Sequence, residues 1–177
     1  MGLGNPGRKY RETRHNVGRV TVERLLESSE LIAEGKWQDG QLALAGSGHR
    51  RFLALKPETY MNNSGRAVAQ VMGRYRLAPG QVVVLHDDID IPLGDVRVKR
   101  GGGSGGHQGV ASLMEAMGEQ CFTRVRIGVG RPPEGVDPAD YVLAEFMESE
   151  RDQAGGAVAR AAEATLGLIA GEYGEKE

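Results

Sequence analysis

Val82-Val83-Val84-Leu85 is an unbroken run of branched apolar residues, and it restricts the fold more than any other segment of this 177-residue chain. Such a run suits a strand covered on both faces, because a strand with one wet face alternates apolar and polar positions. Covering layers are available. Asn16 opens the apolar pattern Val17, Val20, Val22, Leu25, Leu26, and Ser64 precedes the stripe Ala67, Val68, Val71, Met72, Tyr75, which Pro79-Gly80 ends. A shorter stripe runs from Gly109 to Met117. Asp137-Pro138 reads as an N-cap with proline in the first turn, opening a helical segment from Tyr141 to Phe146. Ser149-Glu150-Arg151-Asp152 resembles a capping box for a last helix over about 149–170, with Val158, Ala161, Ala162, Thr165, Leu166 and Ile169 on one face. Further strands are expected at 96–99 and 125–129, which alternate, and in a hairpin of 41–46 with 51–56 across 47–50. The pattern predicts an α/β fold: a single-domain sandwich over 1–177, with a mixed β-sheet flanked by helices.

Composition bounds the class. Cys121 is the only cysteine, which excludes an intramolecular disulfide or a multi-cysteine zinc site and fits a reducing cytosol. No apolar run approaches the length of a membrane span, and no charged-then-apolar leader is present, so a cytoplasmic protein without membrane contact is expected. The near-neutral total charge of −2 hides a division. Residues 132–177 carry 11 acids and 3 bases, whereas residues 1–131 carry 19 bases and 13 acids. A basic body with an acidic tail fits a polyanionic partner, although arginines and lysines are also ordinary solvated surface.

Glycine-rich segments are the first places to look for chemistry. Gly2-Leu3-Gly4-Asn5-Pro6-Gly7 has dinucleotide-fingerprint spacing, but Met1 leaves no room for the strand which that motif requires. Gly102-Gly103-Ser104-Gly105-Gly106 fits a nucleophile elbow after the strand at 96–99, yet only His107 follows Ser104 and no acid lies between them. An elbow triad needs Ser, then acid, then His. Ser104 is therefore a spacer in a glycine loop, which also lacks the Lys-Ser/Thr ending of a P-loop.

Three polar clusters remain. The first turn delivers Asn5, Tyr10, His15 and Asn16 to one neighbourhood, although His15 alone could be an exposed histidine near a helix start. His86-Asp87-Asp88-Ile89-Asp90 follows the apolar run and so falls at the C-terminal end of a strand, where α/β proteins place their sites. Its carboxylates could bind a divalent metal or orient His15, and Asp87 lies nearest the buried strand. Pro57 to Ser64 joins a strand to a helix start; Asn63 or Ser64 can cap that helix, which leaves Tyr60 and Asn62 to face the loops above.

Together the blocks GLGNPG at 2–7, TRHN at 13–16, KPETYMNNSG at 56–65, HDDIDIPLG at 86–94, GGGSGGHQG at 101–109, RVRIGVGRP at 124–132 and DYVLAEF at 140–146 resemble the bacterial peptidyl-tRNA hydrolase family in order and spacing. The resemblance implies a monomeric α/β enzyme that hydrolyses the ester between a peptide and the 3′ end of tRNA, without metal or cofactor, returning free tRNA to translation. It implies that His15 is the general base for water, Asp87 its orienting carboxylate, and Asn5 the residue that favours a blocked α-amino group. Tyr10, Tyr60 and Asn62 then line the peptide and 3′-end site, and Lys99 and Arg126 clamp the tRNA 5′ phosphate. An ester needs less activation than an amide, so a histidine base with amide donors at the developing oxyanion is sufficient chemistry.

Three features depart from the family. Gln108 stands where the family has asparagine, one methylene longer. The strand that the family runs into its first glycine turn is missing, which points to an unusual start or a truncation. The pI of about 6.1 is low for a tRNA-binding protein. Two other classes fit parts of the sequence: a metal-assisted phosphoesterase using His86, Asp87, Asp88 and Asp90, and a noncatalytic RNA-binding module using the basic clusters alone.

Overall fold

The computed structural model describes residues 1–118 and 121–172. The elements alternate along the chain: α1 (Val17–Glu27), β1 (Glu30–Trp37), β2 (Gly40–Ser47), β3 (Arg50–Pro57), α2 (Ser64–Tyr75), β4 (Val83–Asp88), β5 (Val96–Arg100), α3 (Gln108–Met117), β6 (Thr123–Gly128), α4 (Pro138–Leu143) and α5 (Glu148–Ala170). The expected α/β fold with flanking helices is present. Its strands divide between two sheets, an antiparallel one in the order β1-β2-β3 and a mixed one in the order β4-β6-β5.

Residues 1–3 lie between the two sheets. Gly2 N–H donates to Leu55 O at 3.0 Å and Leu3 N–H to Leu85 O at 3.0 Å, while Met1 O accepts from Leu85 N–H. This short segment joins β3 to β4 at the point where the first polar turn begins.

β4 has the two covered faces that its composition requires. Val84 belongs to a core with Leu3, Met61, Val68, Val110 and Leu113, and the next residue, Leu85, to a core with Val17, Val22, Val125, Ala157 and Ala161. Successive side chains on a strand point to opposite faces, so one strand serves α2 and α3 on one side and α1 and α5 on the other. Burial stops at the strand end, where Asp87 is still enclosed and Asp88 is half-buried.

The approach of α1 to β4 depends on Gly18, since a Cβ there would overlap the Leu85 carbonyl. That contact brings the turn Arg14–Asn16, immediately before α1, onto the end of β4.

One element was missed and two expected boundaries differ: the helical segment expected from Tyr141 to Phe146 is α4 at Pro138–Leu143, because Asp137 accepts from Ala139 N–H and starts the helix at Pro138. β1 was not legible from the pattern: seven of its eight residues are exposed, and an edge strand exposed on both faces has no apolar alternation. α5 begins at Glu148, with Met147 at the N-cap position, because Glu150 Oε2 accepts from Met147 N–H at 2.7 Å. Ser149 is thus inside the helix. Among the described residues no helix is long and apolar enough to cross a membrane.

Candidate active site

A cleft of about 890 Å³ opens at the C-terminal end of β4 and is lined by residues from the first turn, the segment just before α2, the glycine loop, the start of α3, β5, β6 and α4. The fold assembles it from short approaches. Asn5 and Asn16 lock the first turn to the residue before α1: Asn5 N–H donates to Asn16 Oδ1 at 2.8 Å, and Asn16 Nδ2 donates to Asn5 O at 2.9 Å. His15 is consequently held at the cleft floor.

Asp87 is buried at the centre. His15 Nδ1 lies 2.9 Å from each of its carboxylate oxygens, and His107 Nε2 lies 2.9 Å from Oδ1. The protons can be assigned. His107 is the N-cap of α3, and its Nδ1 accepts from Gly109 N–H at 3.1 Å and Val110 N–H at 3.3 Å, so its proton sits on Nε2 and is donated to Asp87. His15 donates from Nδ1 to the same carboxylate, which leaves its Nε2 lone pair for the cleft. Burial by itself would push the Asp87 carboxyl up; the bonds from His107 and then His15 outweigh it and hold the group well below the usual carboxylate range.

His15, Asp87 and His107 bring one ligand atom each within 4.8 Å of one another, a spacing that could hold a metal ion. The tautomer argues against it. To ligate through Nε2, His107 would have to move its proton to Nδ1, which already faces two backbone N–H donors.

The other acids diverge from Asp87. Asp88 accepts from Arg126 Nε at 2.7 Å, and Asp90 from Arg131 Nη2 at 2.7 Å. His86 turns inward, donating from Nδ1 to Asp87 O at 2.7 Å. The set His86, Asp87, Asp88 and Asp90 therefore does not converge on one point, contrary to what a phosphoesterase metal centre would need.

Asn5 presents a defined group. Its Oδ1 accepts from Met61 N–H at 2.8 Å, so the side-chain NH2 is the end left for the cleft. Asn62, Tyr60, Gln108, Lys99 and Arg126 line the cleft as well. Tyr10 does not, and the Lys9 ammonium lies 4.6 Å from its ring centroid. Asn63 occupies the N-cap position of α2 without a side-chain cap bond, and Ser64 is buried.

Two functional neighbours were not singled out by sequence reasoning. His107 entered it only through a triad that failed; its signal was a histidine placed immediately before a helical stripe, a capping position. Arg124 lay within the block at 124–132 with no role of its own. It is buried and donates to Gly103 O at 2.8 Å and to Gly101 O, pinning the glycine loop from beneath.

An α/β protein with a buried carboxylate between two histidines, in a cleft rimmed by amides and cations, has the set of groups that hydrolytic enzymes acting on charged substrates use. Comparison with known proteins narrows that class. The family model described as peptidyl-tRNA hydrolase matches residues 1–176. A peptidyl-tRNA hydrolase of Nocardia farcinica is 44% identical over 170 residues, covering 96% of this chain and 88% of that protein; one of Aquifex aeolicus is 43% identical over 152 residues, covering 85% and 78%. The crystal structure of peptidyl-tRNA hydrolase from Acinetobacter baumannii superposes with a TM-score of 0.90 at 32% identity, covering 97% of this chain and 87% of that one. The chain belongs to the peptidyl-tRNA hydrolase family.

Proposed function

We propose that this chain, as one peptidyl-tRNA hydrolase-like domain over 1–177, hydrolyses the ester between a peptide and the 3′ end of tRNA. His15 Nε2 takes a proton from water, which attacks the ester carbonyl carbon. The resulting oxyanion is met by side-chain amides, with Asn62 and Gln108 as the donors within the cleft, and the His15 imidazolium then returns its proton to the departing ribose oxygen. Asp87 holds the imidazole in the productive tautomer and balances its charge, while His107 holds Asp87. The observation that supports this most is the His15–Asp87–His107 row, in which every ring nitrogen but His15 Nε2 already has a partner.

Asn5 selects the substrate. Its NH2, oriented by Met61 N–H, is a donor that suits a peptide carbonyl and repels a free α-ammonium. Tyr60 and Asn62 receive the peptide and 3′ end within the cleft, Tyr10 belongs to the same substrate site outside the cleft lining, and Lys99 and Arg126 receive the 5′ phosphate. The reaction runs without metal or cofactor, a reading favoured by the tautomer of His107, and the enzyme acts as a monomer in the cytoplasm, as the family resemblance implies.

The test is single-turnover hydrolysis of N-acetyl-aminoacyl-tRNA against the same aminoacyl-tRNA with a free amine, with and without a strong chelator. The blocked substrate should react about 100-fold faster or more, unaffected by the chelator. Equal rates would remove the selection by Asn5, and loss of activity with the chelator would restore the metal-assisted reading.

A further inference from the structure

Arg14 stands one residue before the base, and its guanidinium reaches the junction of α4 and α5. Arg14 is buried, with 3% of its surface exposed. Its Nη1 donates to Glu145 O at 2.6 Å and Ala144 O at 3.3 Å, and its Nη2 to Glu150 Oε2 at 2.6 Å. The guanidinium carbon lies 4.2 Å from the Tyr141 ring centroid and 5.1 Å from that of Phe146. The backbone joins in: Arg14 N–H donates to Ala144 O at 3.1 Å, and Thr13 bridges to Glu145.

The far end of this network is a wall of the cleft. Pro138, Ala139, Val142 and Leu143 of α4 line the same cleft as His15. α4 is six residues long and has no buried residue. A helix that short has little stability of its own, and no apolar face packs it into place. Its position rests on Tyr141, whose hydroxyl donates to Val129 O at 2.8 Å, and on Arg14 at its C-terminal end.

We propose that Arg14 is a positioning residue: through Ala144, Glu145, Glu150 and the rings of Tyr141 and Phe146 it sets the distance between the α4 wall and His15, and thereby the fit of the substrate. This rests on the reading of the cleft as the peptidyl-tRNA site. The planar fork is essential, because a lysine ammonium can neither bridge two carbonyls and a carboxylate in one plane nor stack between rings.

The experiment uses the full chain with an N-blocked dipeptidyl-tRNA, comparing Arg14→Lys, Glu150→Gln and His15→Ala. Arg14→Lys should raise KM about tenfold with kcat within about threefold, since loss of fit removes binding common to ground and transition states. The acidic limb of its pH–rate profile should not move, and amide exchange at 138–146 should accelerate while that of α2 stays as in the parent. Glu150→Gln keeps an amide oxygen for Met147 N–H and leaves the guanidinium on its carbonyls and rings; its KM should rise about two- to fivefold. This second variant decides the matter if Arg14→Lys does not fold. KM at the parent value in a folded Arg14→Lys, or in Glu150→Gln if Arg14→Lys does not fold, would overturn the proposal, as would a fall in kcat with KM unchanged. A fully active His15→Ala would instead overturn the base assignment, leaving the KM effect of Arg14 to stand by itself.

Discussion

His86 and Asp87 are neighbours in β4, both buried, and their environments drive them to opposite charge states. Burial first, and then the adjacent His107, push the His86 imidazole down to about 3 against the pull of Asp87 and Asp88. The folded chain therefore keeps His86 neutral, whereas the unfolded chain protonates it near 6.5. Its contribution to stability is complete above that value and drains away as pH falls towards 3, with a slope of up to about 1.4 kcal/mol per pH unit. Asp87 behaves as a depressed carboxylate: its contribution is present above the ordinary value of 3.8 and is lost only below it. Between pH 6.5 and 4 the slope from this pair thus belongs to His86. His86→Gln should flatten the fall of Tm across that window, measured by thermal melts in matched buffers; a slope equal to that of the parent would show that His86 is not the group responsible. At this scale the sequence was informative wherever position along an element decided the environment, as for Asp87 at the end of a buried run. For His107 it offered only a capping position before a helical stripe, and it was silent on Arg124, whose partners are backbone carbonyls of the glycine loop that no residue pattern displays.

α3 starts at one end of the His15–Asp87–His107 row, and its first two positions flank that row and the cleft. His107 caps the helix and holds Asp87, while Gln108, exposed at the cleft lining, is the residue proposed to offer its amide to the substrate. The helix start packs closely on its surroundings, with Gly109 set against the Met61 and Leu3 side chains. Adjustment falls to the glycine loop before it, where Gly101, Gly102, Gly105 and Gly106 take positive φ. Gln108→Ala should lower the single-turnover rate about 10- to 1000-fold, as oxyanion donors do, and Gln108→Asn should keep most of the rate. An alanine variant as fast as the parent would remove Gln108 from the reaction. Helices and the hairpin were legible because their apolar periods are clean. β1 was not, being an edge strand held by its ladder to β2 rather than by burial, and the start of α5 moved to Glu148 because a glutamate reached back to Met147 N–H.

Over the whole molecule, the basic residues of the body acquire a direction that composition could not supply. β5 and β6 pair antiparallel with Lys99 opposite Arg124 and Arg97 opposite Arg126, and paired residues share a face of the sheet. Of these four, Lys99, Arg124 and Arg126 line the cleft. Arg124 is committed to the glycine loop, and Arg126 shares Asp88, so a phosphate at Arg126 competes with a carboxylate. Lys99→Ala and Arg126→Ala should each raise KM for tRNA substrates and reduce the slope of log KM against log salt by about one. A small model ester without the tRNA body should be indifferent. Equal damage to both substrates would make the two side chains structural. The layered α/β architecture was legible from one fully apolar strand and the stripes around it, but the division into two sheets was not, because the two are linked through residues 1–3, whose hydrogen bonds to Leu55 and Leu85 no apolar period displays.

The central claim is that His15, held by Asp87, is the base that activates water on a peptidyl-tRNA ester, and His15→Ala tests it directly. Single-turnover hydrolysis should fall about 10²- to 10⁴-fold, while the Kd for uncleaved peptidyl-tRNA and the thermal melt stay close to the parent. A variant that turns over within a few-fold of the parent would contradict the account.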